Sequence, residues 1–292
     1  MGRHDNRAIR SRRAATGQPV RTQTWPGSSV FTQVAVLTRR AVLGYLTDPR
    51  SLVLAMAQPI IILYLVSSVF SKFGARIPGY PAGFSYFQFL MPAVLVDNAL
   101  QTSLQTGAGL IDELRNGVVA RLRSLPILPS AILIARSITG LVRTALQAFI
   151  LLALAELTHG NISRGGLAGM ATSVGLTMLL GWSLGWGFLA AATRIRRAEM
   201  LTNLGFVVMV PLVFASSAYV PIADLPTALL VFARINPVTY AINAERAIFL
   251  QNAGGPAGAG AILLPVLISL VLGTGTLYTA VRLFRRPLQV WQ

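Results

Sequence analysis

Residues 167–192 read LAGMATSVGLTMLLGWSLGWGFLAAA. No charged side chain interrupts this run, and at 1.5 Å of rise per residue a helix made from it reaches about 39 Å, more than the ~30 Å hydrocarbon core of a bilayer. Five further apolar runs have similar character: Leu52–Phe70, Tyr86–Leu110, Ala131–Leu157, Leu201–Val220 and Ala259–Leu283. In lipid every backbone group must be bonded internally, so runs of this length predict transmembrane helices. The expected fold is therefore all-α, integral to a membrane, with six transmembrane helices.

Composition agrees. Of 292 residues, 54% are hydrophobic and only 12% charged, where a soluble domain carries about a quarter charged residues. The net charge of +16 does not read as a nucleic-acid surface, because the basic residues sit between apolar runs and not on one soluble face. There is no Cys, and the two His, His4 and His159, have no ligand set beside them, which argues against a metal centre.

The flanking segments complete the layout. Residues 1–30 are polar and Arg-rich, the composition of a disordered cytoplasmic tail. Over 31–48, Val34, Leu37, Ala41 and Tyr45 share one helical face with Arg39 and Arg40 on the other, predicting an amphipathic helix at the membrane interface. The membrane-spanning body runs over 31–285, and 286–292 form a short cytoplasmic C-terminal tail. Between the fifth and sixth runs, residues 221–258 are rich in Pro, Asn and Gly. Arg234, Asn236, Pro237, Glu245 and Arg246 interrupt that stretch, so short re-entrant helices on the extracellular side are expected there instead of a seventh span. With both termini in the cytoplasm, about twenty basic residues lie inside against about five outside, which satisfies the positive-inside rule.

No convergent nucleophile, acid–base pair or metal set marks an enzyme. A phosphate-binding P-loop needs Lys after Gly, and the single Lys, Lys72, follows Phe70 and Ser71. Two patterns stand out instead. Asp97, Gln101 and Gln105 recur at i, i+4 and i+8 in the second run, a polar stripe on one helical face with Asn98, Thr102 and Thr106 beside it. It either lines a substrate route or hydrogen-bonds across a helix or subunit interface. The segment 112–128 alternates charged and apolar residues and ends at Pro126, consistent with a short cytoplasmic helix that docks a soluble partner or with a plain solvated loop. Gly181 and Gly185, four apart in the fourth run, predict close helix packing.

Glu113, Leu114, Arg115, Gly117, Leu122 and Pro126, followed later by Pro221, Pro226, Asn236, Pro237, Tyr240 and Arg246, resemble the permease subunits of type-two ABC exporters, specifically the daunorubicin-resistance drug-export group. The likeness covers roughly 31–285. It implies six spans per subunit and a second permease subunit, identical or paralogous. It also implies separate ATPase subunits that carry ATP and Mg, with no cofactor in this chain, and a location in the bacterial plasma membrane. Glu113, Arg115, Gly117 and Arg121 would then form the coupling helix on which the ATPase docks. Asn236, Pro237 and Arg246 would be an extracellular motif. A secondary transporter using Asp97 as an ion site, or a membrane enzyme of lipid metabolism, are the alternatives. The first would show inverted repeats with matching broken helices, which the sequence lacks.

Overall fold

The computed structural model describes residues 29–71, 85–117, 128–160, 166–195, 197–249 and 259–284. Every regular element among them is helical. In chain order they are α1 (Val30–Leu46), α2 (Pro49–Val69), α3 (Tyr86–Arg115), α4 (Pro129–His159), α5 (Gly166–Ala192), α6 (Ala198–Phe214), a 3₁₀ turn (Ile222–Asp224), α7 (Thr227–Ile235), α8 (Pro237–Phe249) and α9 (Ala259–Phe284). The tails, Arg121 and the rest of the 118–127 segment lie outside the described residues.

Local chemistry sets the boundaries. Ser29 accepts the Thr32 amide at 3.2 Å and starts α1. Asp48 separates α1 from α2: its carboxylate accepts the Ser51 hydroxyl and, at 3.3 Å, the Ser51 amide. These hydrogen bonds, the hydroxyl's first, hold the Asp48 carboxyl below its usual range. Pro49 follows in the first turn, where an N–H has no helical partner to lose. A capping box opens α3, with Ser85 Oγ accepting the Gln88 amide and Gln88 Oε1 accepting the Ser85 amide.

Helix α3 is the axis of the bundle. It packs against α2, α4, α5, α6 and α8, while α5 in turn packs against α4, α8 and α9. Helices α2 and α9 form the outer edges, and α1 lies across α4 and the start of α2. The bundle has two distinct ends. At one, Gln33 of α1 accepts the Leu128 amide at 3.0 Å before α4, and Arg194 meets Arg282 around a shared cavity. At the other, Phe87 stacks on His159 at 3.7 Å and the Tyr86 hydroxyl donates to the Tyr219 carbonyl. Helices α7 and α8 sit at this second end.

Among the described residues, four helical stretches are long and apolar enough to cross a membrane: Pro49–Val69, Ser130–His159, Gly166–Ala192 and Ile262–Phe284. Helix α6 is apolar but has 17 residues, about 25 Å. Helix α3 has 30 residues, long enough, but its polar stripe lowers its hydropathy. Helices α7 and α8, with 9 and 13 residues, are too short for ~30 Å of hydrocarbon. Val53, Leu54, Ile61 and Leu65 on α2, with Phe206, Val207 and Val208 on α6, point outward. Apolar ridges of this size need lipid or a partner subunit against them.

Close packing falls on different glycines than the sequence suggests. Gly181 does approach α4, where an added Cβ would meet Thr144 Oγ1 at 3.1 Å, but Gly185 faces open space. The tighter contact is Gly107 of α3, whose Cβ would lie 2.8 Å from the Phe188 backbone carbonyl of α5. Gly273 of α9 similarly makes room for the Trp182 ring. The spacing of two glycines marks a face that can pack, and the partner helix decides which one does. Gly107→Ala should therefore lower the stability of the purified protein by about 1–3 kcal/mol through overpacking. Gly185→Ala should stay within about 1 kcal/mol of wild type. Thermal unfolding in detergent measures both.

Candidate functional site

The polar stripe occupies the open edge of α3. Most of the helix is buried, but Asp97 and Gln101 are half-exposed and Gln105 is exposed. Their inner neighbours are enclosed: Asn98, Thr102 and Thr106 are buried. A cavity of about 80 Å³ lies along the stripe, bordered by Asp97, Gln101 and Gln105, by Gln58 and Pro59 of α2, and by Gln147 of α4. Gln105 also borders a larger cavity of about 330 Å³ at the end where α1 crosses α4. The three stripe residues are thus brought together, and the two cavities meet at Gln105.

A second polar row faces the first. On α4, Arg136, Arg143 and Gln147 recur at i, i+7 and i+11, one helical face. Gln147 is buried; it donates to the Tyr45 hydroxyl at 3.1 Å and accepts from Thr102 Oγ1 at 2.7 Å, joining α1, α3 and α4. Arg143 donates to Gln105 Oε1 at 3.3 Å and lies over the Tyr45 ring. The same spacing argument that marks the α3 stripe also marks this row.

The charged end of α3 is built differently from a free loop. Glu113 pairs with Arg136 of α4 at 2.6 Å, and Arg136 Nε donates to the Thr106 carbonyl at 3.2 Å. Arg115 ends the helix and is exposed. Gly117 follows with φ +69°, a left-handed turn that suits glycine. The structure thus separates Glu113, which is held against α4, from Arg115, which is open. Helix α1 differs from expectation too: Arg40 lines the cavity together with Leu37, three residues away.

At the other end, the 236–246 motif solves a backbone problem. Helix α6 stops at Phe214 and leaves carbonyls without helical donors. Asn236 Nδ2 donates to the Leu212 and Ala215 carbonyls at 2.6 and 3.0 Å, while its Oδ1 accepts the Val238 amide in the first turn of α8. Pro237 begins that helix. Arg246 is buried; it donates to the carbonyls of Phe89, Ser217 and Ala218, and its guanidinium sits 3.7 Å from the centre of the Phe89 ring.

A family model described as ABC-2 type transporter matches residues 32–250. The chain belongs to the ABC-2 type transporter family. It is 26% identical over 215 residues to the daunorubicin resistance ABC transporter permease protein DrrB1 of Streptomyces coeruleorubidus, covering 74% of each chain. It is similarly 27% identical over 228 residues to a putative transport permease, ycf38, of Pyropia yezoensis, with 76% of this chain and 75% of the relative covered. The protein is accordingly a multi-pass membrane transport permease and not an enzyme.

In this permease the residue that sequence reasoning underrated is Glu245. It reads as a charge that interrupts a span, yet it is fully buried. Its carboxylate accepts from Ser173 Oγ at 2.5 Å and Thr177 Oγ1 at 2.8 Å, locking α8 to α5. The hydroxyls at i and i+4 on α5 were the available signal. Beside it, Arg246→Lys should leave at least one carbonyl of the permease unpaired, at about 1–3 kcal/mol each, because an ammonium cannot reproduce the planar fork. A lower unfolding temperature and a reduced yield of folded protein from membranes are the expected readouts.

Proposed function

We propose that the chain is the membrane-spanning half of an ATP-driven exporter of an amphipathic drug, lipid or polyketide-like substrate. In this reading it pairs with a second permease subunit and with separate ATPase subunits, which bind ATP and Mg. The observation that carries the proposal is the open polar edge of α3. A carboxyl and amides facing lipid are expensive, so Asp97, Gln101 and Gln105 call for a facing subunit or water. Two such edges brought together would form a polar route between subunits. The drug-resistance name of one relative supports the substrate class.

The corresponding topology has six spans, α2, α3, α4, α5, α6 and α9, in the bacterial plasma membrane. The arginine-bearing end faces the cytoplasm and α7–α8 dip into the outer leaflet. Cysteine placed at Gly160 should react with an impermeant thiol reagent from outside intact cells, while cysteine at Asn116 or Ala198 should not. Labelling of Asn116 would overturn the topology.

The ATPase docks at the end of α3 in this reading, and closure of the ATPase dimer would press on that end. Because Glu113 is engaged by Arg136, the exposed Arg115 makes the direct contact. Arg115→Glu should leave membrane levels unchanged and sharply reduce recovery of the ATPase in a pull-down, along with export. Equal recovery and equal export would remove this residue from the docking surface. Asp97→Asn should change export or substrate preference while subunit assembly persists if the stripe lines the route. Loss of assembly would assign the stripe to the subunit interface.

A further inference from the structure

The 330 Å³ cavity between α1, α3 and α4 carries a charge imbalance that the export reading does not use. Arg40, Arg136 and Arg143 line it with one carboxylate, Glu113. Three positive groups against one negative leave two in excess. Arg136 is satisfied by Glu113 and the Thr106 carbonyl. Among the described residues, neither Arg40 nor Arg143 has an acidic partner within ion-pair distance. Arg143 Nε is buried and makes no hydrogen bond. A buried guanidinium donor without an acceptor is costly, and two uncompensated cations at one cavity make an anion the natural acceptor.

The walls say which anion. Leu37 and Ala41 of α1 and Ile132 and Ala135 of α4 supply an apolar side to the same cavity. On α1, Val36, Leu43 and Leu46 expose further apolar surface, so an acyl chain leaving the cavity has a surface to follow. We propose that this cavity binds the phosphate of an anionic phospholipid from the adjacent leaflet, with Arg143 and Arg40 as the phosphate ligands and α1 as the bed for its chains. Guanidinium suits phosphate because its planar fork bonds two oxygens at once. Basic pockets between membrane helices are suited to such headgroups. Glu113 tunes the site by neutralising Arg136. The proposal needs only the geometry of this end of the bundle and no part of the export reading.

The experiment uses the full-length permease, purified in detergent and exposed to defined lipids, with retention measured by native mass spectrometry. Wild type should retain phosphatidylglycerol about tenfold more strongly than zwitterionic phosphatidylcholine. Arg143→Gln should abolish that preference, and Arg40→Gln, at an exposed position, should weaken it without disturbing the fold. Glu113→Gln should strengthen it, because Arg136 then joins the excess charge. Addition of inorganic phosphate separates the sources. Displacement of the lipid by phosphate shows that the anion alone is read, and resistance to it shows that the chains along α1 are required; either result, with the arginine dependence, supports the site. Equal retention of the two lipids by wild type overturns the proposal, as does a preference that survives both arginine substitutions. If Arg40→Gln has no effect on lipid but abolishes ATPase capture, the cavity belongs to the protein partner and the proposal fails.

Discussion

A backbone carbonyl without a donor costs several kcal/mol in apolar surroundings, and this chain ends helices inside its own apolar body. The stretch from Phe214 to Val220 exposes carbonyls that a soluble protein could leave to water. Asn236 and Arg246 supply the missing donors. Arg246 also reaches the Phe89 carbonyl and stacks on its ring, so the cap on the α6 end is at the same time the joint between α8 and α3. Glu245 fastens the opposite side of α8 to α5. A helix of 13 residues, too short to span a bilayer, thereby becomes a plug pinned to two long helices.

That plug leaves α3 enclosed on every side but one. Helices α4, α5, α6 and α8 surround it, and the remaining, half-open edge beside α2 carries Asp97, Gln101 and the exposed Gln105. The close approach at Gly107 and the bond from Ser103 Oγ to the Gly181 carbonyl at 2.9 Å fix α3 against α5. The rotational setting of α3 is thus decided by its buried face, and the polar edge has no freedom to turn inward. A transport permease needs polar surface where a substrate or a second subunit can meet it. Here close packing on one face dictates exposure on the other.

Much of this was legible in the sequence because it depends on local periodicity. Apolar runs gave the long helices, and the i, i+4, i+8 spacing placed the stripe on one face. What was not legible required knowing which elements touch. Gly185 satisfies a packing pattern yet meets open space, because α4 approaches one turn away at Gly181. Arg40 was assigned to the outer face of α1, whereas α4 crosses that helix so that Leu37 and Arg40 share the cavity. Glu113 stands in the expected coupling segment, and nothing in the sequence points it at Arg136. Their ion pair depends on how the end of α3 meets α4, which no spacing within either helix encodes. Glu245 looked like an interruption, since burial of a carboxyl is expected only when its partners are known.

One helix connects these findings. Helix α3 runs without a break from the Ser85 cap to Arg115, about 45 Å at helical rise. At one end it carries the Phe89 carbonyl that holds Arg246, along its length the polar edge, and at the far end Glu113 and Arg115. A helix packed this closely moves as a body, because interiors at this density have discrete arrangements and little compressibility. Force applied at Arg115 would therefore be felt at Asp97 without a chain of intermediate contacts. The Glu113–Arg136 pair ties that movement to α4, and so to the row of Arg143 and Gln147 that faces the stripe. In the proposed exporter, the docking end and the polar route are two parts of one rigid element, and displacement of α3 relative to α4 would reshape both cavities that meet at Gln105.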